Sequence, residues 1–382
     1  MPEIAEVARI VHFLRQHLVG KRIAAAAAVE DGNVFGKVGT SGPEVETALR
    51  GKKVMSAGSQ GKYFWITLEK PPHLVMHFGM TGWVHIKGEK TAYTNYYKKM
   101  KDGELEEWPP RFWKFHLKTE GEAGTEVAFT DARRFGRVRL VDCPGSDIRR
   151  HSPLVENGPD PIQDTDVFTQ EYLAKKMTTR HVPIKALLLD QTTISGIGNW
   201  VADETLYQAK LHPEQYCDEF SAAEMEKLYE SIRYVCQTAI DKLGDSDEFP
   251  DHWLFNYRWG KGDKAAASKL PNGDKLAFIT VGGRTSCYAP EVQKKTGHVV
   301  PNAKAELIDS VSRDKAPAKK ARKASAKPQR VEEEEVGNGP PAKKARIKHQ
   351  SAAETKKEES AAHVKHEGAG DLGRRRSARL GK

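Results

Sequence analysis

The apolar pattern of this chain changes character once, near Pro144-Gly145, and that change limits its possible folds more than any other feature. Before it, short runs rich in aromatic and branched residues alternate with Gly, Pro and charged turns: Tyr63–Leu68, Leu74–Phe78, Trp83–Ile86, Phe112–Leu117, Glu126–Phe129 and Arg137–Val141. Runs of this length and composition read as the strands of a sandwich or barrel. After it, Ser152-Pro153, Gly158-Pro159 and Pro161 mark a boundary, and apolar residues then recur at helical spacing over Val167–Met177, Ile184–Leu189, Trp200–Ala209 and Ala222–Leu243. The β block is preceded by one helix, with Val7, Ile10, Val11, Leu14 and Leu18 on a common face and Gly20 as its stop. The helical block is followed by two strands, 275–280 and 285–289, joined by Val281-Gly282-Gly283-Arg284 as a hairpin with a Gly-Gly turn. The expected fold class is therefore multi-domain α+β: a β-sandwich domain over 1–145, a helical domain over 146–245 and a hairpin unit over 246–295.

Residues 301–382 are of another kind. They contain no Phe, Trp or Tyr and are dominated by Ala, Lys, Glu and Pro, so they are expected to be a disordered basic tail. The tail holds 21 Lys+Arg against 12 Asp+Glu, an excess of nine that equals the net charge of the whole chain. Residues 1–300 are balanced at 40 of each, so any nucleic-acid surface on the folded part must be a local patch. The basic clusters Lys319–Lys323, Lys343–Lys348 and Arg374–Arg379 read either as a solvated linker or as nuclear-localisation and nonspecific DNA-binding elements. A nuclear location, and contacts of the tail with repair proteins, are the corresponding expectations. The four cysteines are scattered with no C-x-x-C pair, which fits a reducing compartment and neither a disulfide framework nor a zinc ligand set. No run of 18 apolar residues is present, so no membrane span is expected.

Four stretches could carry chemistry. Met1-Pro2-Glu3-Ile4-Ala5-Glu6 puts a secondary amine at the terminus if Met1 is removed. A terminal amine titrates at about 7.7–8.0, against about 10.4 for lysine, so near neutrality far more of it is free base and able to attack a carbonyl-like carbon. Glu3 and Glu6 lie beside it. The competing reading is an ordinary Met-Pro start. Asp190–Asn199 is a Gly-rich turn opening a helix, suited to a phosphate or simply a helical hairpin. Gln60-Gly61-Lys62-Tyr63 sets a lysine at the mouth of a strand. Met76-His77-Phe78-Gly79-Met80-Thr81-Gly82 and Thr130-Asp131-Ala132-Arg133-Arg134-Phe135-Gly136 place a Met, an Arg and a Phe on turns. There they could enter a base stack as wedges, or pack in a core and form surface ion pairs.

Taken together, P-E-I-A-E-V, Q-G-K-Y, M-H-F-G-M-T-G, T-D-A-R-R-F-G and I-K-A-L-L-L-D-Q-T-T-I-S-G-I-G-N-W-V-A-D-E resemble the formamidopyrimidine-DNA glycosylase (Fpg/Nei) family of base-excision repair, in the family's order over about residues 2–290. The resemblance implies an N-terminal β-sandwich, a helix–two-turns–helix domain, and damaged double-stranded DNA held between them by a monomer. It implies glycosylase and AP-lyase activity, with Pro2 as the nucleophile on the anomeric carbon and Glu3 as its acid/base. Glu6 matches a second, structural or assisting carboxylate, and Lys62 a lysine that contacts the lesion and its flanking phosphate. Met80, Arg133 and Phe135 match the residues that fill the hole left by a flipped base. His77, Lys185 and Asn199 match phosphate contacts.

The chain departs from the commoner family pattern in its last unit. Many members end in a zinc finger with two C-x-x-C pairs, whereas residues 250–290 contain only Cys287. The expectation is a zincless hairpin as in plant and fungal members, with no metal cofactor, Arg284 gripping the lesion's phosphates, and Trp253, Phe255 and Phe278 holding the hairpin by packing. The short spacing from Arg258 to the hairpin leaves little room for a lesion-capping loop, which favours formamidopyrimidines, further-oxidised guanine products, oxidised pyrimidines and abasic sites over 8-oxoguanine. One rival is a non-catalytic protein that binds damaged DNA on the same fold, which the Pro2-Glu3 pair argues against. Another is a glycosylase for single strands, which the three void-filling residues argue against.

Overall fold

A computed structural model describes residues 2–92, 107–259 and 269–296, all within one compact unit, Met1–Ala316. The segment 88–110, whose Tyr93, Tyr96, Tyr97 and Trp108 among charges read as a long surface loop, lies mostly outside the described residues, as does the whole of the tail.

The first block is a sandwich of two four-stranded antiparallel sheets. One has the order β1-β6-β7-β5, formed by Ile23–Ala28, Trp113–Thr119, Glu126–Thr130 and Trp83–Ile86. The other has the order β2-β3-β4-β8, formed by Val54–Gln60, Tyr63–Leu68, His73–His77 and Arg137–Val141. Side chains from both meet in one core that includes Phe64, Ile66, Leu74, Met76, Val84, Phe115, Leu117 and Phe129. Two strands are additional to those read from the sequence. β1 is Ile-Ala-Ala-Ala-Ala-Ala, a composition that favours helix, and it is held extended by pairing with β6 from Ile23↔Thr119 to Ala28↔Phe115. β2 pairs with β3 through Gln60↔Tyr63, which makes Gln60-Gly61-Lys62-Tyr63 a tight turn. Helix α2 (Gly42–Leu49) was also not expected. Its N-cap Ser41 and Glu44 form a reciprocal capping box.

Helix α1 (Ile4–His17) belongs to two cores. Val7, Ile10, Val11 and Leu14 pack into the sandwich, while Ile4 and Ala5 pack with the helical domain. That domain comprises α3 (Gln170–Thr178), α4 (Ile184–Leu189), α5 (Asn199–Ala209) and α6 (Ala222–Asp241) around Leu188, Ile197, Val201, Leu228 and Ile232. Its last apolar layer is Trp200, Phe249, Trp253 and Phe255, with ring centroids 4.9–5.5 Å apart. The hairpin follows as β9 (Ala277–Val281) and β10 (Arg284–Tyr288). Both turn glycines have positive φ, +57° at Gly282 and +71° at Gly283, the primed geometry that suits a two-residue hairpin.

Candidate active site

The site grows from the first turn of α1. Glu3 is its N-cap, and the Glu3 N–H donates to Glu6 Oε2 at 3.0 Å. Both carboxyl groups are buried, directly after the buried Pro2. The N-terminus of α5 receives them. Trp200 N–H donates to Glu3 Oε1 and Val201 N–H to Glu3 Oε2, each at 3.1 Å, while Trp200 Nε1 donates to Glu6 Oε1 at 3.2 Å. The open N–H groups and positive end of a helix favour a carboxylate there. Burial nevertheless pushes the Glu3 carboxyl above its ordinary range, against the pull of Lys62 and the two N–H groups. Burial, and then the neighbouring Glu3, lift Glu6 to about 7.

The approach is close because glycine lines it. A Cβ on Gly198, the N-cap of α5, would stand 2.1 Å from Glu3 Cδ. Gly196 has φ +99° and its carbonyl accepts from Ile4 N at 3.1 Å. Across from it is the β2–β3 turn, where a Cβ on Gly61 would fall 2.5 Å from Ser195 Cβ. Asp160, buried between the domains, takes the Gly61 N–H at 2.8 Å and so fixes the turn that carries Lys62. Lys62 Nζ donates to Ile197 O at 2.8 Å. Burial lowers its pKa, Glu3 works against that shift, and the Arg284 charge adds to it. His77 closes β4 with Nδ1 accepting from Gly79 N, and burial followed by Lys62 drops its pKa to about 4. It is neutral at pH 7, with its proton on Nε2.

Met80, Arg133 and Phe135 are brought together on two neighbouring turns, β4–β5 and β7–β8. The turns touch backbone to backbone, since a Cβ on Gly79 would meet Phe135 C at 2.4 Å. Fully buried Asp131 clamps them by accepting from Thr81 Oγ1, Arg133 N and Gly136 N at 2.6–3.1 Å. Phe135 is 46% exposed, with the Arg133 guanidinium 5.0 Å above its ring. Between them Arg134 has φ +58° and is tied to buried Asp31, which also takes Lys114 Nζ at 3.0 Å. A large apolar ring held out on a braced turn is not a core residue.

The sequence profile of the Formamidopyrimidine-DNA glycosylase N-terminal domain matches residues 1–138, and that of its H2TH domain matches residues 157–250. A curated relative from Arabidopsis thaliana, a formamidopyrimidine-DNA glycosylase, is 40% identical over 297 residues, 78% of this chain and 72% of its own length. The chain belongs to the formamidopyrimidine-DNA glycosylase family. A bacterial relative of the same name from Pelotomaculum thermopropionicum is 31% identical over 77% of this chain and 99% of its own length. Among solved structures, the Lactococcus lactis glycosylase bound non-covalently to DNA containing an AP site superposes with a TM-score of 0.61 at 25% identity, covering 77% of this chain and all of that one.

The last described unit is the β9–β10 hairpin. Arg284 is exposed at the start of β10, immediately after the turn, on the side from which its charge reaches Lys62. Lys185, expected at a phosphate, is instead fully buried, with its ammonium on Asp203 Oδ1 and on the Thr285 carbonyl. Asn199 Nδ2 donates to the same carbonyl at 3.0 Å. The hairpin is not held by Trp253 and Phe255, which belong to the helical core, and Phe278 is only half-buried. Among the described residues no three His, Cys, Asp or Glu side chains gather into a metal site. Cys287 is buried with its thiol pushed up to about 12. Trp200, Gly198, Asp160 and Asp203 are the functional residues that sequence reasoning missed. Trp200, Gly198 and Asp203 lie inside the quoted I-S-G-I-G-N-W-V-A-D-E stretch and could have been weighed there, whereas nothing local singles out Asp160.

Proposed function

We propose that this glycosylase works through an imine on Pro2, with Glu3 as its proton carrier, on oxidised bases in duplex DNA. The observation that carries the reading is the Glu3 carboxyl. It is buried, raised in pKa and held by two helix N–H groups one residue from the proline nitrogen. With Met1 removed, the proline lone pair attacks C1′ of the flipped nucleotide and the bond to the damaged base breaks. Glu3 protonates the sugar ring oxygen as the ring opens, and loss of the amine proton leaves an iminium. The iminium acidifies the C2′ proton. Its removal expels the 3′ phosphate by β-elimination, loss of the C4′ proton then expels the 5′ phosphate by δ-elimination, and water hydrolyses the imine to release the unsaturated sugar remnant and restore the Pro2 amine. Lys62, neutral His77 through Nε2–H, and Arg284 serve the flanking phosphates, while Met80, Arg133 and Phe135 fill the vacated stack. Formamidopyrimidines, further-oxidised guanine products, oxidised pyrimidines and abasic sites form the substrate class.

The protein acts as a monomer without metal, and its basic clusters support a nuclear location, to be checked by elemental analysis and by imaging of a fluorescent fusion at the C-terminus. The chemical test is borohydride reduction during incubation with damaged duplex, which should link wild-type protein covalently to DNA. A peptide fused ahead of Pro2 turns its amine into an amide and should leave binding but abolish the link. Wild-type protein that forms no adduct on any oxidised or abasic substrate sinks the reading.

A further inference from the structure

The hairpin that carries Arg284 is poor in core: of the ten residues in its two strands only Val281, Ser286 and Cys287 are buried. A two-stranded hairpin with so little apolar surface does not hold its own position. Beside the ring contact of Tyr288 with His212, its backbone meets polar side chains. Thr285 and Cys287, two residues apart, present the same edge of β10. The Thr285 carbonyl accepts from Lys185 Nζ at 3.2 Å and from Asn199 Nδ2 at 3.0 Å, and the Cys287 N–H donates to Asp203 Oδ2 at 3.1 Å. Asp203 also binds Lys185 through Oδ1 and Arg258 through Oδ2 at 2.6 Å. The side chains of Lys185 and Asp203 are 0% exposed and that of Arg258 is 7%.

We infer that Asp203, with Lys185 and Arg258, is a metal-free dock that fixes the hairpin against α4 and α5 and thereby sets where Arg284 stands. Asp203 is then a positioning residue for phosphate recognition, and Lys185 acts through the hairpin and not on DNA directly. One carboxylate joins two buried cations and a strand edge, so removing its charge strands both cations and frees the strand at once. The dock leaves one net positive charge beneath the Arg284 strand, the sign a phosphate favours.

The inference rests on the phosphate role proposed for Arg284, and the experiment separates the two. Asp203→Asn, Arg284→Ala and the double variant are made in the full chain and compared with wild type. Hydrogen exchange reads residues 277–288 against α6, and binding to abasic-site duplex gives affinity. Asp203→Asn should speed exchange of 277–288 at least tenfold with α6 unchanged, and weaken binding about tenfold. The double variant should bind no more than twofold worse than Arg284→Ala, because both changes remove the same contact. Wild-type exchange in 277–288, or losses that add in full, overturns the dock. Arg284→Ala with wild-type affinity overturns the phosphate role while exchange still reads the dock. If Asp203→Asn does not fold, the triple Lys185→Met/Asp203→Leu/Arg258→Met removes the three charges together. A folded triple with wild-type exchange and affinity likewise overturns the dock.

Discussion

Replacing Gly198 with Ala tests the geometry around Glu3 with a single methyl group. The new Cβ would lie 2.1 Å from Glu3 Cδ and 2.4 Å from Oε1, where ordinary contact begins at 3.4 Å, so the carboxyl must retreat by about 1.3 Å. That retreat breaks the hydrogen bonds from Trp200 and Val201, each 3.1 Å long. Hydrogen bonds to a charged group contribute about 1.5–3 kcal/mol apiece. A displacement of about 1 Å in a reacting group lowers rate by roughly 10²-fold. The backbone itself tolerates alanine, since Gly198 has φ −118°. Single-turnover borohydride trapping on an abasic duplex should therefore slow by about 10²-fold, with binding within a few-fold of wild type. Gly32→Ala, where a Cβ meets nothing within 4 Å, is the control. Trapping by Gly198→Ala at the wild-type rate would refute the claim that Glu3 must sit where this structure puts it.

Three other perturbations read other parts of the site. Glu6 has its folded pKa raised from 4.5 to about 7, so its share of stability is complete below about 4.5, falls by about 3 kcal/mol as pH climbs to about 7, and is flat above. Glu6→Gln should remove that slope from urea midpoints measured between pH 5 and 8, and an unchanged slope would disprove the assignment. Asp31→Asn loosens the turn that presents Arg133 and Phe135, and should reduce trapping on duplex at least tenfold more than on single-stranded abasic DNA; equal losses on both would show that the turn is not a wedge. Deleting 301–382 removes all of the net positive charge. Covalent trapping should survive, while nonspecific DNA affinity should fall most at low salt, and identical affinity for both forms across salt would remove the tail from DNA binding.

Much of this was legible in the sequence where physics is local. Aromatic and branched residues between turn formers located six of the eight sandwich strands, and 3.6-residue spacing located α1 and α3 to α6. β1 falls within the stretch from 21 to about 141 that reads as β, but it was not picked out as a run of its own because five consecutive alanines carry no alternation and only pairing with β6 makes them a strand. The terminal motif identified Pro2 and Glu3 as candidates, but not that Glu3 is received by Trp200 and Val201. The position of Lys185 shows the limit most plainly. A lysine in a DNA-binding motif reads as a phosphate ligand until Asp203, eighteen residues on, is seen to neutralise it.

Helix α1 divides its residues between two cores, with Ile4 and Ala5 on one side of the divide and Val7 onward on the other. The Glu3 carboxyl and the N–H group that receives it are 197 residues apart in the chain. The pocket that receives Glu3 does not exist until both domains have closed on the same turn of helix. A half-made or half-unfolded chain has Glu3 next to Pro2 but without the Trp200 and Val201 N–H groups that receive its carboxyl, so the arrangement proposed for catalysis is completed only with the fold. For the same reason neither domain can be cut away and expected to keep a share of the chemistry.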